Sequence, residues 1–98
     1  MKARSRPTRE AAETLAVQAL AFIAEQPEQL ARFLAETGIG PEQIRAAAQQ
    51  PDFLAGVLDH MLADEALLIA FADSAGIDPA AVARLRNVLG KVWERDVP

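Results

Sequence analysis

The stretch Phe33-Leu-Ala-Glu-Thr-Gly38-Ile39-Gly40-Pro41-Glu-Gln-Ile44 decides the fold, because the chain carries it again as Phe71-Ala-Asp-Ser-Ala-Gly76-Ile77-Asp78-Pro79-Ala-Ala-Val82. Phe, Gly, Ile and Pro recur at a constant offset of 38, and Ile44 answers to Val82. Each position has a local physical role. Gly38 and Gly76 lack a Cβ and enter the left-handed conformation that ends a helix. The isoleucine that follows folds back onto the helix just ended, as the hydrophobic contact of a Schellman stop. Gly40 and Asp78 cap the next helix. Pro41 and Pro79 begin it, where a missing N–H is no loss. The two Gly-Ile-x-Pro corners therefore predict two helix pairs, each turning tightly around a buried isoleucine. Two copies do not make a stacked array, which needs three or more.

Outward from these corners, proline and glycine divide the rest of the chain. A first helix is expected from about Thr8 to Glu25, with Thr8 as N-cap and Glu10 in the first turn. Its polar positions Thr14, Gln18 and Glu25 form a narrow strip, and Leu15, Val17, Leu20, Phe22, Ile23 and several alanines fill the rest. An apolar arc that wide implies burial on more than one side. A second helix runs from Pro27 to Thr37, and a third from near Pro41 to just before Pro51. In a fourth, Phe53, Leu54, Val57, Leu58, Met61 and Leu62 follow amphipathic spacing. Asp64 caps a fifth, where seven consecutive apolar residues from Ala66 to Ala72 read as a central helix buried nearly all round. A sixth starts at Pro79 and carries the stripe Leu85, Val88, Leu89, Val92 and Trp93, weakened at Gly90. No alternating β-branched run suggests a strand. The expected fold is all-α, a compact bundle of about six short helices. Residues 1–7 read as a disordered basic tail and 8–98 as one helical domain.

The composition suits this reading. The chain has 98 residues, 51% hydrophobic and 24% charged, with no Cys and no Tyr, so disulfides and thiolate metal sites are excluded. A chain of this length buries roughly 60–65% of its unfolded surface, enough for a core without staples. The net charge of −4 is unevenly spread: Lys2, Arg4, Arg6 and Arg9 stand free of acids, whereas residues 10–83 carry twelve acids against Arg32 and Arg45. An acidic body repels nucleic acid and anionic membrane. Basic residues before the apolar run Leu15–Ala24 outline a signal sequence, but Glu10, Glu13, Gln18 and the bulky Phe22 depart from that pattern. No apolar run reaches membrane-spanning length. The expected location is cytoplasmic.

Chemistry finds few residues to use. Asp59, His60, Asp64 and Glu65 form the one cluster of potential metal ligands, and His60 and Asp64 stand four apart. A site needs a third ligand and outer support, and Asp64 is already explained as a cap, so a solvated helix junction is the preferred reading. Ser5 and Ser74 are the only serines, and no nucleophile, base and orienting group can be named together. No glycine-rich phosphate loop exists. No catalytic residue, metal or cofactor is expected.

The second corner also has the spacing of a helix-turn-helix, with Ala72 four residues before Gly76 and Val82 six after it. The groove-facing positions would be Asp78, Pro79, Ala80 and Ala83, which offer nothing to base edges. Arg84, Arg86 and Lys91 lie further along as candidate contacts.

In the order of its features the chain resembles a family of short bacterial proteins, common in alphaproteobacteria, defined as a domain of unknown function. The resemblance rests on Ala19-Leu-Ala-Phe-Ile-Ala-Glu, Pro27, Arg32-Phe-Leu and Thr37-Gly-Ile. It continues through Phe53-Leu-Ala-Gly-Val-Leu-Asp-His-Met-Leu-Ala-Asp-Glu-Ala-Leu-Leu and Gly76-Ile-Asp-Pro, covering roughly residues 11–90. It implies a bacterial cytoplasmic protein, implies no activity, and carries no functional residue across.

The leading expectation is a non-catalytic protein-interaction module that binds an unidentified protein or a second copy of itself. Leu15, Leu20, Ile23 and Trp93 are the expected interface residues. The alternative is nucleic-acid binding through residues 71–91 and the basic N-terminal tail.

Overall fold

The computed structural model describes residues 8–95, with side chains described through Leu89. The expected tail at 1–7 and the side chains of Lys91 and Trp93 lie outside the described residues. Six α-helices follow in order: α1 (Arg9–Ala24), α2 (Pro27–Thr37), α3 (Ile44–Ala47), α4 (Pro51–Leu62), α5 (Glu65–Ala75) and α6 (Pro79–Arg95). A single 3₁₀ turn, Pro41–Gln43, leads into α3. The helix starts follow local chemistry. The Thr8 hydroxyl accepts the Ala11 N–H at 3.0 Å, and Asp64 Oδ1 accepts the Leu67 N–H at 3.1 Å. Gln26, Gly40 and Gln50 each precede a proline and are extended, as proline requires of its predecessor.

The two corners share one plan with different hydrogen bonds. Gly38 and Gly76 are left-handed, at φ 77° and 72°, the only positive φ values among the described residues. At the second corner Ile77 N–H donates to Ala72 O at 2.9 Å and Gly76 N–H to Asp73 O at 3.3 Å, the paired bonds of a Schellman stop. The first corner departs from that expectation. Gly38 N–H takes Leu34 O at 2.8 Å, the simpler left-handed stop, and the Thr37 hydroxyl donates to Phe33 O at 2.9 Å. A further bond holds the exit, where Gln43 Oε1 accepts the Gly40 N–H at 2.7 Å. Ile39 and Ile77 are half-buried rather than enclosed, since each corner lies at the rim of the bundle. Across the second corner α5 and α6 bend by 100°.

The core forms where α1, α4 and α6 pack against one another, with α2 laid on α1 and α5 on α4 and α6. From α1 come Ala12, Leu15, Ala16, Ala19, Leu20 and Ile23, a single stripe at helical spacing. Its three alanines are fully buried, and their small size lets neighbouring helices approach closely. Leu54, Val57, Leu58 and Met61 answer from α4, Val82 and Leu89 from α6, and Phe33 from α2.

Two expectations about burial are corrected. The core is shared by α1, α4 and α6, and α5 is not its centre. Only Leu67, Phe71 and Ala72 of α5 are buried, and Ile69 is 51% exposed. Its apolar run includes Ala66 and Ala70, whose surface is too small to demand burial, and one side suffices for packing on α4 and α6. The α1 arc, read as buried on more than one side, leaves Val17 47% exposed. No single helix among the described residues is long and apolar enough to cross a membrane.

Candidate interaction surface

The outward strip of α1 begins with Glu10, Glu13 and Thr14, continues through Val17, Gln18 and Ala21, and ends at Glu25. This strip is what remains at the surface once the inward stripe has packed. Three shallow depressions border it, and Gln18 lines all three. The first lies between Thr8, Glu10, Thr14 and, across from them, Leu85 of α6. The second holds Val17 with Glu10, Glu13 and Thr14, and is walled by Ala48, Gln49 and Leu54. In the third, Ala21, Phe22 and Glu25 face Phe71, Ser74 and Ala75 of α5. The Phe22 and Phe71 rings meet there at 5.5 Å between centroids, tilted by 59°, and close the inner wall. Among the described residues lining these depressions the charged ones are Glu10, Glu13 and Glu25, and none is basic.

The expected interface residues fall elsewhere. Leu15 and Leu20 are each 6% exposed and Ile23 is fully buried, so all three face the chain's own core and correct the earlier choice. Their register is the reason: with Ala12, Ala16 and Ala19 they form the one stripe of α1 that is buried in the core. Val17, passed over in the sequence, carries the exposed apolar surface. Trp93 lies on α6 with its side chain outside the described residues. The structural caps stand where the repeat places them: Gly38 and Gly76 end α2 and α5, Pro41 opens the 3₁₀ turn, and Pro79 opens α6.

The second possible site also rearranges. His60 does not share a face with Asp64 but turns toward α2. Its Nδ1 lies 2.9 Å from Glu36 Oε1, and its ring meets Phe33 edge-on at 5.2 Å. Only 8% of the side chain is exposed, so the expected solvated junction is instead a packed contact. His60 Nε2 and Gln29 Oε1 are buried without a hydrogen-bond partner in the protein. Asp59, next in the chain, holds Arg86 of α6 through two bonds of 2.6 and 3.0 Å. Asp64, besides capping α5, stands 3.7 Å from Arg32. Among the described residues no three His, Asp or Glu side chains gather to hold a metal ion. Of the nucleic-acid candidates, Arg84 is exposed, Arg86 is the half-buried partner of Asp59, and the Lys91 side chain lies outside the described residues.

Fold and surface together define a small all-helical protein that carries a shallow, acid-rimmed strip along the outward face of α1. The chain belongs to the family described as a protein of unknown function, DUF3572, whose sequence profile matches residues 9–91. The match agrees with the resemblance seen over residues 11–90 and takes in every helix from α1 to α5 and most of α6. No curated protein and no solved structure matches the chain.

Proposed function

We propose that this protein is a non-catalytic protein-interaction module and that the outward strip of α1 is its binding face. The observation that carries this reading is Val17. It is a β-branched apolar side chain, 47% exposed, at the middle of a helix whose inward stripe already supplies the core. The depressions on either side give a partner relief to enter, and partner binding favours such apolar centres with polar rims. Phe22 and Phe71 pack against each other in the wall of the third depression. The test is chemical crosslinking of the tagged full-length chain in the cells that produce it, followed by mass spectrometry. Recovery of one partner in fixed ratio, reduced by Val17→Lys, supports the reading. Recovery of the bait alone contradicts it.

A second reading, nucleic-acid binding at the α5–α6 corner, draws on the 100° bend between those helices, within the range of helix-turn-helix pairs. Against it, the first exposed turns of α6 present Ala80 and Ala83, and Arg86 is engaged by Asp59. Duplex DNA binding that falls steeply with added salt would favour it, and no binding at low salt would remove it.

A further inference from the structure

Building on the proposed binding face, we infer that the partner which covers α1 is a cationic amphipathic helix from another protein. Three features of the strip lead there. Every charged residue among the described residues lining the depressions is an acid, and such a rim favours Lys or Arg on whatever docks. Glu10 and Glu25 stand near its ends, fifteen residues apart, which is about 22 Å along the helix and matches about four turns of a docked helix. Between them exposed Val17 stands near the small side chains of Ala21, Ala48 and Ala75, relief that the ridges of a second helix can enter. Strand addition is disfavoured because it needs an open sheet edge, and the described residues form no strand. A second copy is disfavoured as well. A two-fold contact sets one patch against itself, which gathers Glu10, Glu13 and Glu25 from both copies into one interface at a like-charge cost.

The experiment places a photocrosslinking benzophenone amino acid at position 17, at position 74, or at position 42 outside the depressions, each in the full chain in producing cells. Irradiation and digestion then identify the captured segment. The expected capture at 17 and 74 is a segment of another protein that is net basic, with apolar residues at i, i+3 and i+4. A synthetic peptide of that segment should bind the purified chain more weakly as salt rises. It should bind about tenfold more weakly to the Glu10→Gln, Glu13→Gln, Glu25→Gln triple variant. A captured segment that is neutral or acidic, or an affinity indifferent to salt and to the triple variant, overturns the inference and leaves the interaction reading standing. Capture of a second copy overturns it in favour of self-association. No capture at 17 or 74 above the level at 42 removes both.

Discussion

Three glycines of this chain give opposite answers to one substitution. Gly38 and Gly76 sit at φ 77° and 72°, and an added Cβ at either meets no atom within 4 Å, so alanine is opposed there by backbone conformation alone. Gly76→Ala and Gly38→Ala should each destabilise by about 1–2 kcal/mol. Gly56, exposed within α4, has equally open space and no positive φ. Gly56→Ala should stabilise by about 0.5–1 kcal/mol. Urea denaturation of the three variants checks the contrast; destabilisation by all three would refute the assignment of strain to the corners. His60 provides the second test at this scale. Its ring fills the space between α2 and α4 against Phe33 and leaves Nε2 buried and unpartnered. His60→Ala should cost roughly 2–3 kcal/mol through the emptied volume. His60→Leu keeps most of the volume and removes the unpartnered nitrogen, so it should cost less. Equal losses in the two variants would mean that the Glu36 hydrogen bond, not packing, holds His60 in place.

At the scale of the helix, the features legible in the sequence were those set by neighbours along the chain. Thr8, Pro27, Pro51 and Asp64 marked helix starts because capping and proline geometry act within one turn. Gly38 and Gly76 marked helix ends for the same reason. Burial was less legible, because it depends on which helices come together. The alanine-rich run of α5 is hydrophobic by count but offers little area, whereas α1 packs against both α4 and α6 along a stripe that includes fully buried Ala12, Ala16 and Ala19. The candidate surface was half legible. Helix 1 was recognised as having an apolar arc wider than one contact, but periodicity does not say which edge of the arc remains outside. The partner of His60 was not legible at all, since Glu36 lies 24 residues away and on another helix. The cap of α5 allows a direct check. Asp64→Ala removes the acceptor for Leu67 N–H and should cost about 1 kcal/mol, read by thermal unfolding. No change would mean that packing on α4 and α6 holds the end of α5 without its cap.

On the scale of the whole molecule, α1 divides its labour between two faces. The inward stripe holds α2, α4 and α6 together, and the outward strip, edged by Glu10, Glu13 and Glu25, stays at the surface, where the proposed partner would dock. The charge of the chain agrees with that division: the acids predominate over residues 10–83, and the basic residues gather toward the two ends. Stability and binding should therefore respond to different residues of one helix. The most direct test is a paired measurement on Val17→Lys and Leu20→Ala, scoring thermal unfolding and partner recovery for each full-length chain. Leu20 is enclosed, and its truncation should cost about 2–5 kcal/mol. Val17→Lys changes a half-exposed position and should leave stability within about 0.5 kcal/mol. The predicted result is a Val17→Lys chain that melts with the wild type and recovers little or no partner. A Val17→Lys chain that recovers its partner in wild-type ratio would contradict the claim that the outward strip of α1 is the binding face.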